Sequence, residues 1–133
     1  MTPAPSLALR DGHPVMALGG HGGDRIPQGM LQAFLNVVEF GMNPQEAVEA
    51  PRVYTYNFPD TWHPSVYLPG VIRAEGRIPK EVIDSLERRG HKVEMYPDWW
   101  EGSGFYWVIS RDPHSGVLQG GADPRCEAYG LGY

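Results

Sequence analysis

Four glycines in five residues, Gly19, Gly20, Gly22 and Gly23 around His21, form the stretch of this chain best suited to chemistry. Lacking Cβ atoms, they let the backbone take positive φ and let a second molecule approach the bare main chain. The apolar run Pro14 to Leu18 reads as a strand entering this turn, and Ile26 onward reads as a helix leaving it. Such a junction offers the unpaired N–H groups and positive dipole end of a helix start to an anion or a developing oxyanion. The glycines alone are equally consistent with a plain strand-to-helix turn. Asp24 and Arg25 follow at the predicted helix start, where Asp24 either caps the helix, a role worth about 1 kcal/mol, or positions a ligand.

Other chemistry is missing from the sequence. Histidines 13, 21, 63, 91 and 114 have no ligand spacing, so no metal site is expected. There is no Gly-x-Ser-x-Gly elbow and no phosphate-binding Gly-Lys-Ser or Gly-Lys-Thr. The single cysteine, Cys126, carries no cue of a nucleophile and reads as a small neutral side chain. Arg52 and Arg125 each follow a proline and either pair a carboxylate or are solvated.

The elements that must hold the glycine turn can be read in order. Ser6 to Arg10, Asp11-Gly12 and His13 to Leu18 have the grammar of a hairpin, because Asp-Gly supplies the positive φ angles of a two-residue turn. Met30, Phe34 and Val38, widened by Leu31, Leu35 and Val37, predict a helix with one broad buried face, started by Pro27 and stopped at Gly41. Asn43-Pro44-Gln45-Glu46 predicts a capped second helix to Ala50, packed against the first. Val53 to Phe58 reads as extended, and Val66 to Leu68 and Val71 to Ala74 as short strands separated by a Pro69-Gly70 turn. A third helix is expected over Ile78 to Gly90. Lys92 to Tyr96 alternates like an edge strand, Phe105 to Ser110 reads as a buried strand, and Val117 to Gly121 as a last one. Trp99 and Trp100, in the loop between, either line a pocket or cover a core edge.

At 133 residues the chain is expected to be one domain, 1–133, of class α+β with layered helices and strands. Its composition, 41% hydrophobic and 20% charged, is that of a globular protein, and no apolar run is long enough to span a bilayer. A net charge of −5 with scattered Lys and Arg argues against a nucleic-acid partner. Met1 to Pro5 lacks the grammar of a signal peptide, and the compartment stays open.

Read together, Met1-Thr2-Pro3, Asp11-Gly12, Gly19 to Ile26, Gly41 to Pro44 with Glu46-Ala47, Ala50-Pro51-Arg52, Gly120 to Arg125 and the closing Gly132-Tyr133 resemble the C-terminal half of the small subunit of γ-glutamyltranspeptidases and related acylases. The resemblance covers essentially the whole chain. It implies part of a four-layer αββα N-terminal-nucleophile hydrolase, with about three helices and six to eight strands. Such enzymes are made as precursors that cut themselves to expose an N-terminal threonine, which attacks the γ-glutamyl amide. The pattern Gly-Ser-Pro-Gly-Gly-Ser puts the family's oxyanion-hole glycines on Gly22 and Gly23, with His21, Asp24 and Arg25 as candidates for substrate binding. His21 and Asp24 depart from the transpeptidase pattern, and Gly-Gly-Asp followed by Pro-Gln resembles the branch whose amidohydrolases take other acyl groups.

The family's threonine and the serine pair that holds the substrate carboxylate fall before the region that these residues match. Thr2 precedes a proline and lacks the Thr-x-His context. The expected partners are therefore the remainder of a precursor and a γ-glutamyl or other acyl-amide substrate, with no cofactor. The chain alone is expected to be inactive and to self-associate. The rival expectation is a non-catalytic binding or structural module.

Overall fold

The structure, a computed structural model, describes residues 4–132. The resemblance at Met1-Thr2-Pro3, with Thr2, and at Tyr133 lies outside them. The described residues form three α-helices and seven strands in two sheets, divided between two compact units.

The unit that contains the glycine turn combines the chain up to Ala50 with the chain from Gly104. Its sheet is antiparallel with order β1-β2-β6-β7: β1 Ser6–Arg10, β2 His13–His21, β6 Phe105–Arg111 and β7 Leu118–Ala122. The hairpin forms as expected, with Asp11 at φ 51° and Gly12 at φ 79°. Its register shifts where Leu9 meets Pro14, a residue that cannot donate to the ladder. Strand β2 does not stop at Leu18. Gly19, Gly20 and His21 continue it, facing Trp107, Tyr106 and Phe105, so the glycine turn shortens to Gly22 and Gly23.

Helices α1, Ile26–Val38, and α2, Pro44–Glu49, cover one face of this sheet. Met16 and Leu18 of β2 and Tyr106 and Val108 of β6 are buried against Ile26, Met30, Ala33 and Val48. The apolar stripe of α1 is rotated from its expected position: Leu31 and Val38 are exposed, while Ile26 and Ala33 are buried. Asn43 closes the expected capping box, accepting from the Glu46 N–H at 2.9 Å while its own N–H donates to Glu46 Oε2 at 2.9 Å. Asn36 Nδ2 ties the helices together by donating to the Ala47 carbonyl at 3.2 Å. Strand β6 is buried on one face only. Trp107 and Ile109 on its other face are exposed, as are Leu7 on β1 and Leu118 on β7, whose paired positions place them on that same face.

The second unit, Pro51–Ser103, has a sheet of order β3-β4-β5, made of β3 Val53–Tyr56, β4 Leu68–Glu75 and β5 Lys92–Tyr96. Strands β4 and β5 are parallel and joined through α3, Lys80–Arg88. Pro69-Gly70 lies inside β4, where the register with β3 jumps from Thr55↔Ile72 to Tyr56↔Leu68 and Gly70 takes φ 79°. A bulge, which tolerates a proline without an N–H, replaces the expected turn. The end of α3 is a Schellman motif: His91 N–H donates to Leu86 O, Gly90 N–H to Glu87 O, and Gly90 has φ 92°.

Trp100 packs on Tyr96 with centroids 4.0 Å apart and edge-on to the buried Tyr54 at 6.3 Å, so it covers a core edge, whereas Trp99 is exposed with Arg77 3.6 Å over its ring. Arg52 is buried in this unit and donates from Nη1 to Ser103 Oγ at 3.4 Å. The buried Glu75 carboxylate accepts from the Arg52 and Trp100 N–H groups and from Arg77 Nη2.

Candidate functional site

The ladder between β2 and β6 ends at His21 and Phe105, and Gly22 turns the chain away from the sheet. Gly22 has φ 145° and Gly23 φ 62°, both in the region that side chains disfavour. A second constraint acts at Gly22, where a Cβ would sit 2.7 Å from Gly104 Cα. Two bare backbones therefore meet there. Gly23–Arg25 then form one 3₁₀ turn, closed by Arg25 N–H to Gly22 O at 3.3 Å and by Ile26 N–H to Gly23 O, and α1 begins at Ile26. The first N–H groups of such a turn have no acceptor within it. Gly22 and Gly23 are both partly exposed, so a ligand has access to them.

Of the other predicted site residues, His21 is exposed with its ring parallel to Phe105, 6.0 Å between centroids. Asp24 lies inside the 3₁₀ turn. It does not occupy the helix cap, because the N-cap of α1 is Arg25, whose side chain makes no cap bond. Arg25 contributes its carbonyl, which accepts from Tyr106 Oη at 3.0 Å. An apolar cleft of about 470 Å³ opens between β1 and α1, lined by Ala4, Leu18, Pro27, Met30 and Phe34 among others. Among the described residues no group of three or more His, Cys, Asp or Glu is arranged to hold a metal ion.

The structure adds Tyr106, which local patterns did not single out, and joins it to Asp123 and Arg125 of the Gly120 to Arg125 motif. Tyr106 is fully buried beneath the turn. Its N–H donates to Asp123 Oδ2 at 3.1 Å, and its carbonyl accepts from the Asp123 N–H at 3.2 Å. Asp123 Oδ1 accepts from Arg125 Nη1 at 3.0 Å, both side chains being wholly buried. The Arg125 guanidinium also donates to the carbonyls of Val48, Glu49 and Ala50 at 2.9, 3.4 and 3.1 Å, which caps the C-terminus of α2. Arg125 is thus paired and buried. Gly120 to Arg125 stood out in the sequence as a motif, and these bonds give it a physical task.

Comparison with known proteins gives consistent matches. The family described as Gamma-glutamyltranspeptidase matches residues 1–133. A glutathione hydrolase-like proenzyme of Bacillus subtilis, YwrD, is 32% identical over 128 residues, 96% of this chain and 23% of the relative. The acylase ACY 1 proenzyme of a Pseudomonas species is 42% identical over 94 residues, 71% of this chain and 15% of the relative. The solved γ-glutamyltranspeptidase of Pseudomonas nitroreducens superposes with a TM-score of 0.76 at 27% identity, covering 98% of this chain and 62% of that one. The chain therefore spans about a quarter or less of the length of these two curated relatives.

Proposed function

Because the chain belongs to the γ-glutamyltranspeptidase family, we propose that it is the C-terminal part of the small subunit of an N-terminal-nucleophile amidohydrolase, to which it supplies the oxyanion hole. In this reading an N-terminal threonine outside the region matched here attacks the acyl-amide carbonyl through its hydroxyl oxygen. The tetrahedral intermediate collapses as the C–N bond breaks and the amine leaves with a proton. Water or an acceptor amine then attacks the resulting ester and regenerates the threonine. The N–H groups of Gly22 and Gly23 donate to the carbonyl oxygen, whose charge is full only in the tetrahedral state.

The observation that carries this reading is the paired positive φ at Gly22 and Gly23 in an accessible turn at the start of a 13-residue helix. Fixed backbone donors of this kind need no reorganisation when the charge develops. His21, Asp24 and Arg25 flank the same turn and serve as substrate contacts. The similarity to an acylase proenzyme widens the donor class from γ-glutamyl amides to amides of other acyl groups. A panel of anilides, γ-glutamyl against aliphatic and aromatic acyl, assayed on the whole precursor after self-cleavage, separates the two classes.

Two outcomes are expected of the pure 133-residue chain. It turns over no γ-glutamyl anilide, since donors without a nucleophile form no acyl intermediate. Turnover that Thr2→Ala abolishes would overturn this. The chain also self-associates, because Leu7, Trp107, Ile109 and Leu118 leave one sheet face apolar and open. In the whole protein the remainder of the precursor covers that face. Light scattering after gel filtration checks this, and a monodisperse monomer at high concentration counts against it.

A further inference from the structure

We propose that Tyr106 is a positioning residue that aims the oxyanion donors, acting on Gly22 and Gly23 through Arg25. This rests on the reading of Gly22 and Gly23 as those donors. Tyr106 is fully buried, yet much of the space around its ring is bounded by bare backbone. A Cβ at Gly20 on β2 would lie 2.5 Å from its Cδ1, and one at Gly104 would lie 2.8 Å from its Oη. At Gly29 on α1 a methyl would overlap Cζ and Oη outright. Three glycines on three segments thus shape a slot that fits this phenol and brings the main chain of β2 and α1 against it.

The hydroxyl at the end of that slot donates to Arg25 O at 3.0 Å, and Arg25 N–H donates to Gly22 O at 3.3 Å. Gly22 C=O and Gly23 N–H belong to one planar trans peptide, so they point in opposite directions and turn together. Whatever fixes the Gly22 carbonyl therefore fixes the direction of the Gly23 N–H. Tyr106 holds Arg25 from below, Gly104 backs Gly22 from the side, and Asp123 holds Tyr106 by both its backbone groups. A phenylalanine would fill the slot equally well but would leave the Arg25 carbonyl without this donor.

The test uses the whole, self-cleaved enzyme, with rates expressed per active site titrated by acyl burst. Tyr106→Phe should lower kcat about tenfold, as expected for one lost positioning hydrogen bond, with KM within about twofold. Affinity for a boronic acid that mimics the acyl group, which forms a tetrahedral adduct with the nucleophile, should fall by the same factor. Affinity for the free carboxylic acid product should not change. A merely structural role would lower the titrated fraction of active sites and leave both affinities per site intact. Unchanged kcat and boronate affinity in folded Tyr106→Phe overturns the proposal. Should that variant fail to self-cleave, 3-fluorotyrosine at position 106 keeps the shape and changes the donor strength, and an unchanged boronate affinity then overturns it equally. Gly23→Val separates the two levels. If it impairs kcat while Tyr106→Phe does not, this inference falls and the oxyanion reading stands; if Gly23→Val leaves kcat intact, the reading itself falls.

Discussion

Gly23→Val lowers kcat of the complete, self-cleaved enzyme by roughly 10²- to 10³-fold, the range typical of one lost oxyanion donor. Gly23 has φ 62°, and a β-branched side chain does not adopt that conformation without strain. The chain relaxes by rotating the Gly22–Gly23 peptide, which moves the donor off the oxyanion. The loss appears in kcat because the bond is strongest in the transition state, while KM changes little. Global stability suffers much less, since the turn is partly exposed and outside the buried cluster of Met16, Leu18, Ile26, Met30, Ala33, Val48, Tyr106 and Val108. Steady-state kinetics beside a thermal melt checks both halves. Wild-type kcat in a correctly cleaved Gly23→Val enzyme reduces the turn to a connector and removes the main support for the proposed function.

Arg125→Met acts through the fold. Arg125 and Asp123 are both wholly buried, and removing one partner of such a pair typically costs about 3–5 kcal/mol, because the other charge stays uncompensated. This loss is compounded by the carbonyls of Val48, Glu49 and Ala50, which lose their donor at the end of α2. Lysine is no substitute, since one ammonium cannot reproduce a planar fork that reaches a carboxylate and three carbonyls at once. The expected result is a loss of soluble precursor, or a urea midpoint lowered by a corresponding amount in whatever folds. A midpoint equal to wild type would show that the pair contributes nothing net.

Features encoded by residues close in sequence were legible. Asp11-Gly12 announced the hairpin, Asn43 and Glu46 the capping box, and Gly90 the stop of α3, since each acts within a few residues. The glycine turn was legible as a turn but not in its extent. Local punctuation suggested a break at Gly19, whereas β2 runs on to His21 because β6 pairs with it from more than eighty residues away. Pro69-Gly70 misled for a related reason, as a turn dipeptide can also sit in a bulge when a neighbouring strand holds both flanks. The support beneath the site was legible only in part. Gly120 to Arg125 stood out as a motif and a carboxylate was one of two expectations for Arg125, but the long-range partners were hidden. Tyr106 meets Arg25 across 81 positions and Arg125 meets Val48 across 77, and a buried tyrosine or an arginine after a proline carries no mark of its distant partner.

The slot around Tyr106 also bears on the history this sequence can have had. All three atoms nearest to an added Cβ at Gly29 belong to Tyr106. A lineage holding the tyrosine therefore cannot gain a side chain at position 29 first, whereas one that has already exchanged the tyrosine for something smaller can, and then cannot easily return. The two positions are coupled, so their substitutions are far from additive.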